Sequence, residues 1–316
     1  MLSEKQDSVP SNDVRDDTVD LMHLLLVIWK SKVVIIATTT IFVLCSIAYA
    51  LSKPNIYTSE VLLATTEEDG VGGLASLAGQ LGGLASLAGV NLSNGSSNKV
   101  QLALEVIRSR EFASTFIQKH GILPLLMAVE SWDMSTDKIS YDEDLYDSES
   151  GKWLRDVSPP LRPMPSMQEA HKELNERLSV NYDNETGMIT IAIEHFSPYV
   201  AQQWVSWLVE DINQVMKDRD VIEAIKSKSF LEQQIANTEI AAIREVLFKL
   251  IEEQVKTIMF ARVRDEYVFK TVDKAIVPEK KTKPRRIFIV FLGALLGFVC
   301  SVMFVVFRST SVGVKR

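Results

Sequence analysis

The chain has 316 residues, 47% of them apolar and 24% charged, and a formal net charge of −7. That length holds one or two domains once membrane segments are set aside. The two cysteines, Cys45 and Cys300, leave the long middle of the chain without a disulfide framework or a cysteine-based metal site; no cofactor and no nucleic-acid partner are expected.

Residues 1–17 are polar and read as disordered. VDLMHLLLVIWK, residues 19–30, reads as a short helix capped by Asp20, with Trp29 and Lys30 suited to a membrane interface. Residues 33–51 then run for 19 positions without a charge, and residues 287–307 do so for 21. At about 1.5 Å of rise per residue each is long enough to cross a hydrocarbon core of about 30 Å. The first starts too deep in the chain and is too long for the apolar core of a signal peptide. Both are read as transmembrane helices, flanked by an N-terminal tail (residues 1–32) and a C-terminal tail (residues 308–316).

YTSEVLLA, residues 57–64, has strand-forming residues. An exact repeat follows, with GGLASLAG at 72–79 and again at 82–89. Leu74, Leu77, Leu81, Leu84 and Leu87 are three or four apart, so the segment reads either as a helical packing segment or as a mobile linker. Residues 99–117 have helical spacing. Residues 130–149 hold eight acids and one lysine together with Trp132, Tyr141 and Tyr146, and read as a solvated acidic loop; its aromatics, with Trp153, either stack on sugar rings or, as is commoner, mark the boundary between loop and core. Pro159, Pro160, Pro163 and Pro165 mark an irregular connection, after which Ser166 caps a helix to about Leu178. Residues 177–196 read as a β-hairpin turning at 183–187, and Ser197-Pro198 opens the next helix.

From Tyr199 to Val277 there is neither glycine nor proline. The expectation is one long helix of about 60 residues and about 90 Å within residues 199–265, with a break near the middle where the pattern falters at Asn237 and Thr238. Its apolar stripe through Ile235, Ile243, Leu247 and Leu250 is the candidate core or oligomer face, because so long a helix outruns the surface of one modest domain. Residues 266–278 then return as a strand. The expected fold is α+β: two transmembrane helices flank a domain, residues 52–286, with strands near Tyr57, Val180, Ile189 and Val272 gathered at a base and a long projecting helical arm.

Lys30 and Lys32 precede the first span and only Lys53 closely follows it, which places the N-terminus in the cytoplasm. The second span points the other way, since Lys280, Lys281, Lys283, Arg285 and Arg286 crowd its domain side. The first span governs, because long domains cross largely regardless of charge; the basic cluster is then placed to meet lipid phosphates.

Chemistry-bearing motifs are missing from the sequence. It contains no G-x-x-x-x-G-K-[ST], H-E-x-x-H or G-x-S-x-G, and His23, His120, His171 and His195 share no ligand spacing. Asp142-Glu143-Asp144 matches the D-x-D of glycosyl transfer only superficially, inside an acidic run. Gly293-Ala-Leu-Leu-Gly297 is a G-x-x-x-G inside the second span, which lets another helix approach closely, either the first span or a helix of a partner.

VDLMHLLLVIWKSK before the first span, YTSEVLLA after it, and FKTVDKAIVPEKKTKPRR (residues 269–286) before the second resemble the Wzz-type chain-length determinants, the polysaccharide co-polymerases of bacterial inner membranes. The proline-bearing entry to the second span, Pro278 and Pro284 ahead of the G-x-x-x-G, is the most specific part. The chain stops nine residues after that span, so the resemblance is to members without the fused cytoplasmic tyrosine-kinase domain of some exopolysaccharide relatives. It implies a non-enzymatic protein of the inner membrane with its large domain in the periplasm. Such a protein assembles as a homo-oligomeric ring beside a Wzy-type polymerase and sets the length of O-antigen or a related surface glycan, with membrane lipids and the growing glycan as further partners. A two-span sensor, an exporter's membrane-fusion adaptor and a glycan-transfer enzyme are the competing readings. The first lacks a signalling domain here, the second usually has one span, and the third rests on the D-x-D match alone.

Overall fold

In the computed structural model residues 29, 31–66 and 95–313 are described. The polar tail 1–17, the 19–30 helix apart from Trp29, and the repeat at 72–89 lie outside them. The chain divides into two units: Met1–Lys53 with Arg285–Arg316, and Pro54–Pro284.

An apolar helix, α1 (Lys32–Ser52), precedes the second unit. β1 (Tyr57–Thr65) alternates in burial, with Tyr57, Ser59, Val61 and Leu63 inward. α2 (Gly95–Arg108) ends at Ser109, whose hydroxyl accepts from the Phe112 amide at 3.2 Å and so caps α3 (Arg110–His120). Gly121, at φ +62°, closes α3 in the left-handed region, and α4 (Leu123–Met127) follows.

The acidic stretch forms two small hairpins rather than the solvated loop its composition suggests: β2 (Val129–Asp133) with β3 (Lys138–Tyr141), and β4 (Tyr146–Asp147) with β5 (Lys152–Trp153). The reason is local. Asp133 accepts from the Ser135 amide and hydroxyl and from Thr136, and Asp147 accepts from the Glu149 and Ser150 amides, so the acids close the turns themselves. Those bonds hold both carboxyls below the usual range. α5 (Met167–Arg177) opens on a complete capping box between Ser166 and Glu169, and Arg155 donates to that same Glu169 at 2.9 Å.

β6 (Leu178–Tyr182) and β7 (Met188–His195) form the hairpin read from the sequence, with Asp183 capping the turn and Gly187 at φ +70°. α6 (Pro198–Ala236) and α7 (Ala241–Val263) then lead to β8 (Phe269–Asp273). One antiparallel sheet results, in the order β6-β7-β1-β8, with Val61 opposite Ile191 and Leu63 opposite Ile189. The N-terminal half of α6 covers it with Val200, Trp204, Val205, Leu208 and Ile212, joined by Ile107 and Phe116 in one core. The structure is thus α+β, as the hydrophobic periods require.

The single helix over about 199–265 is not what forms. α6 has 39 residues, about 58 Å, and ends at Asn237. Asn237 and Thr238 are weak helix formers, the Thr238 hydroxyl bonds back to the Gln234 carbonyl, and Arg244 donates to the Thr238 carbonyl at 2.7 Å. The chain reverses there, and α7 returns along α6 so that Lys217 Nζ reaches the Arg264 carbonyl at 3.2 Å. The arm is therefore a helical hairpin whose two legs are each other's partner.

In the first unit α1 packs on α8 (Arg286–Gly313). Val33, Ile36, Ile287 and Phe307 stay largely exposed, Ile287 at 89%, the reverse of a soluble core helix. Both helices are long and apolar enough to cross a membrane.

Candidate functional site

The described residues offer exposed apolar surfaces and structural clamps, and among them no cluster of His, Cys, Asp and Glu is placed to hold a metal ion. Asp142, Glu143 and Asp144 lie between β3 and β4, where Asp142 accepts from the Asp144 amide at 3.0 Å and caps a turn.

Gly293 and Gly297 face the first span. A Cβ built at Gly293 overlaps the Ser46 hydroxyl and lies 2.6 Å from Ser46 Cβ; one built at Gly297 lies 2.6 Å from Phe42 Cβ and 3.3 Å from Thr39 Cα. Helix backbones approach this closely only where side chains are missing. Of the two partners the sequence left open, the structure brings α1 to this face. Ser46 keeps its own hydroxyl satisfied on the Phe42 carbonyl at 2.8 Å, and Arg286 ties the other end of the pair by donating to the Ala50 carbonyl at 3.2 Å.

The candidate stripe lies on the outer part of the α6–α7 hairpin and outside the buried core. Ile235 and Leu247 are half-buried between the legs, while Ile243 is 46% and Leu250 37% exposed. Phe230, Val246, Phe248 and Val263, which the sequence reading passed over, are more exposed still, Val263 at 82%. The break expected near Asn237 and Thr238 is present; what the sequence reading missed is that the chain reverses there. A hairpin doubles the apolar surface carried beyond the core, and two faces point outward.

Asn213 is the residue that makes the hairpin's base. It is buried, its Oδ1 accepts from the amides of Tyr267, Val268 and Phe269 at 3.2, 2.8 and 2.9 Å, and its Nδ2 donates to the Phe269 carbonyl at 3.0 Å. One turn of α6 thereby fixes the entry to β8. Beside it Lys99 pairs with Asp220 at 2.7 Å and lies over the Tyr267 ring at 4.4 Å, and the Tyr267 hydroxyl donates to Asp220 at 2.7 Å. Burial, together with that bond to Asp220, pushes the Tyr267 phenol up to about 12. At the other side of α6 the buried Asp211 receives Lys119 and, at 2.9 Å, the ring of His120, which stacks on Trp207 at 4.1 Å. Nothing in residue spacing signals these clamps, since their partners lie tens of residues apart.

His195 and His171 are structural. His195 Nε2 donates to the Leu125 carbonyl at 3.0 Å and its Nδ1 accepts from the Ser197 amide at 3.0 Å, a pairing that fixes one neutral tautomer at the start of α6. Burial brings it down to about 4. His171 rests on the Arg108 carbonyl at 2.9 Å.

Comparison with known proteins agrees with this layout of spans and domain. Residues 17–120 match the Wzz family, described as chain length determinant protein, and residues 248–310 match GNVR, described as "G-rich domain on putative tyrosine kinase". The first match takes in α1, β1, α2 and α3; the second takes in most of α7, β8 and most of α8. No curated protein sequence matches the chain. Among solved structures, one described as a full-length bacterial polysaccharide co-polymerase is 13% identical, covers 93% of this chain and 99% of its own, and has a TM-score of 0.36. A fragment of WzzB, a polysaccharide co-polymerase from Salmonella Typhimurium, is 12% identical over 72% of this chain and 100% of its own, with a TM-score of 0.29. Over residues 17–120, which include the first span, the chain therefore carries a domain of the Wzz-type chain-length determinants, while the second span lies within the GNVR match.

Proposed function

We propose that this protein sets the length of a bacterial surface polysaccharide without catalysing a bond, as an oligomeric scaffold in the inner membrane with residues 52–286 in the periplasm and both termini in the cytoplasm. The observation that carries the reading is the Wzz domain over residues 17–120. Two features of the structure support it. The α6–α7 hairpin exposes large apolar side chains on both legs, a surface that a second copy is suited to cover. The span pair is closed on itself through Gly293 and Gly297, so its outward surface remains for lipid or for a polymerase of the Wzy type. O-antigen is the glycan favoured by the resemblance. Exopolysaccharide or capsule is the second reading, favoured by the GNVR match at residues 248–310.

The test is the glycan ladder of a strain lacking the gene beside one carrying it. A defined modal length that collapses to a broad distribution on deletion supports the reading, and an unchanged length distribution in every surface polysaccharide overturns it.

A further inference from the structure

The second unit carries two groups of contacting aromatic rings, which the β2–β3 ladder sets in one row. Trp132 meets Tyr57 at 5.5 Å between ring centres and Tyr199 at 6.2 Å, both nearly edge to face. Across the β2–β3 ladder Trp132 stands opposite Ile139, and Tyr141 lies two residues further along the same strand, hence on the same face. Tyr141 then meets Tyr146 at 5.5 Å, and Tyr146 meets Trp153 at 4.9 Å.

This row is fixed to the body of the unit and is not closed over. Ile139 and Trp153 pack against the core and Tyr57 is buried. Trp132, Tyr141 and Tyr146 are only half-buried, and Tyr199 is 52% exposed. The indole nitrogen of Trp132 donates to Asp137 at 2.8 Å, which fixes the indole ring, and the side chains of Glu130 on β2 and of Glu143 and Asp144 between the two hairpins stand exposed.

We propose that this row is a carbohydrate-binding surface, taking the apolar C–H faces of an uncharged hexose-containing glycan on Trp132 and Tyr199 while neighbouring carboxylates accept from its hydroxyls. The proposal rests on the glycan reading above and names where the chain touches its sugar. The charge selects the ligand. Residues 130–149 hold eight acids against the single Lys138, which repels anionic phospholipid, nucleic acid and polyuronate alike. A protein partner without facing lysines or arginines would bury those carboxylates unpaired, whereas sugar hydroxyls are donors that satisfy them one by one. Aromatic rings with an apolar body and a wet edge suit a ligand that is itself apolar on one face and polar at its rim.

The test uses the full chain in lipid nanodiscs, titrated with maltohexaose, cellohexaose and an oligogalacturonate and followed by saturation-transfer difference NMR on the sugar protons. Expected is weak saturable binding of at least one neutral hexamer and weaker binding of the oligogalacturonate. Tyr199→Ala should weaken the neutral hexamer roughly fivefold while Tyr199→Phe leaves it unchanged, the loss of one ring's stacking. Tyr199 is exposed, so the variant keeps its fold, and thermal unfolding checks this. No binding of either neutral sugar, or equal binding by Tyr199→Ala, overturns the proposal. Its failure is separate from that of the length-control reading, which stands or falls on the ladder of the deletion strain.

Discussion

Asn213 and Phe269, 56 residues apart, exchange two hydrogen bonds through one side-chain amide: the asparagine Nδ2 donates to the phenylalanine carbonyl at 3.0 Å, and its Oδ1 accepts the phenylalanine amide at 2.9 Å. Because that Oδ1 also holds the amides of Tyr267 and Val268, one side chain closes the return of α7 into the sheet. Asn213→Ala leaves those three amides without a partner. We expect a loss of about 3 kcal/mol in unfolding free energy, read by urea denaturation of the full chain in detergent. A loss below about 0.5 kcal/mol would show that water substitutes for the amide.

Acidification should destabilise the protein first through His195. Its folded-state pKa, about 4, lies below the ordinary value of 6.5, so the unfolded chain takes up the proton more readily. Stability is full above about pH 6.5 and declines as the pH falls toward 4, by about 3 kcal/mol across that window. Asp133, Glu169 and Asp183, whose hydrogen bonds hold their pKa values low, add losses at lower pH still. Thermal unfolding followed from pH 7 to pH 4 should show the steeper slope in the native protein and a flatter one in His195→Gln.

Much of this unit is legible in its sequence, because alternation along residues 57–64 and 188–195 and the Asp183–Gly187 turn are local signals of strand and register. The G-x-x-x-G was legible as a contact face, but one sequence window does not say which helix fills it. The chain reversal at Asn237 was harder. The faltering pattern at Asn237 and Thr238 marks the break, but with no glycine or proline there it does not show that the chain reverses, and the side-chain bonds that stop the helix are visible only in three dimensions. Asn213 and Asp211 were illegible for a different reason: each gains its role from backbone or side chains far away in sequence.

Replacing Gly293 and Gly297 together by leucine should force the spans apart, since even a Cβ at either position meets Ser46 or Phe42. Leucine is favoured in lipid, so insertion should be retained, as protease protection of the domain will report. The glycan length distribution should shift. An unchanged ladder would remove span packing from length control.

Ile243→Asp with Leu250→Asp changes two exposed positions on the hairpin. The fold should survive with a loss of about 2–4 kcal/mol, because each side chain gives up roughly half of its apolar surface as burial within one chain. Chemical crosslinking in membranes should nevertheless lose its higher bands if this face meets a second copy. Unaltered bands would place the contact elsewhere.

A reporter inserted at the β4–β5 turn, residue 150, should be active only as a periplasmic type, since the turn is exposed and tolerates an insertion. Activity of a cytoplasmic reporter there would reverse the assigned orientation.

The hairpin also has mechanical leverage. From Asp220, where Lys99 and Tyr267 grip it, to the end of α6 at Ala236 lie 16 residues, about 24 Å, of a helix packed on its return leg. Tilting that lever by about 5° at the grip sweeps its tip through about 2 Å. Adjustments too small to disturb the sheet are thus magnified at the far end of the hairpin.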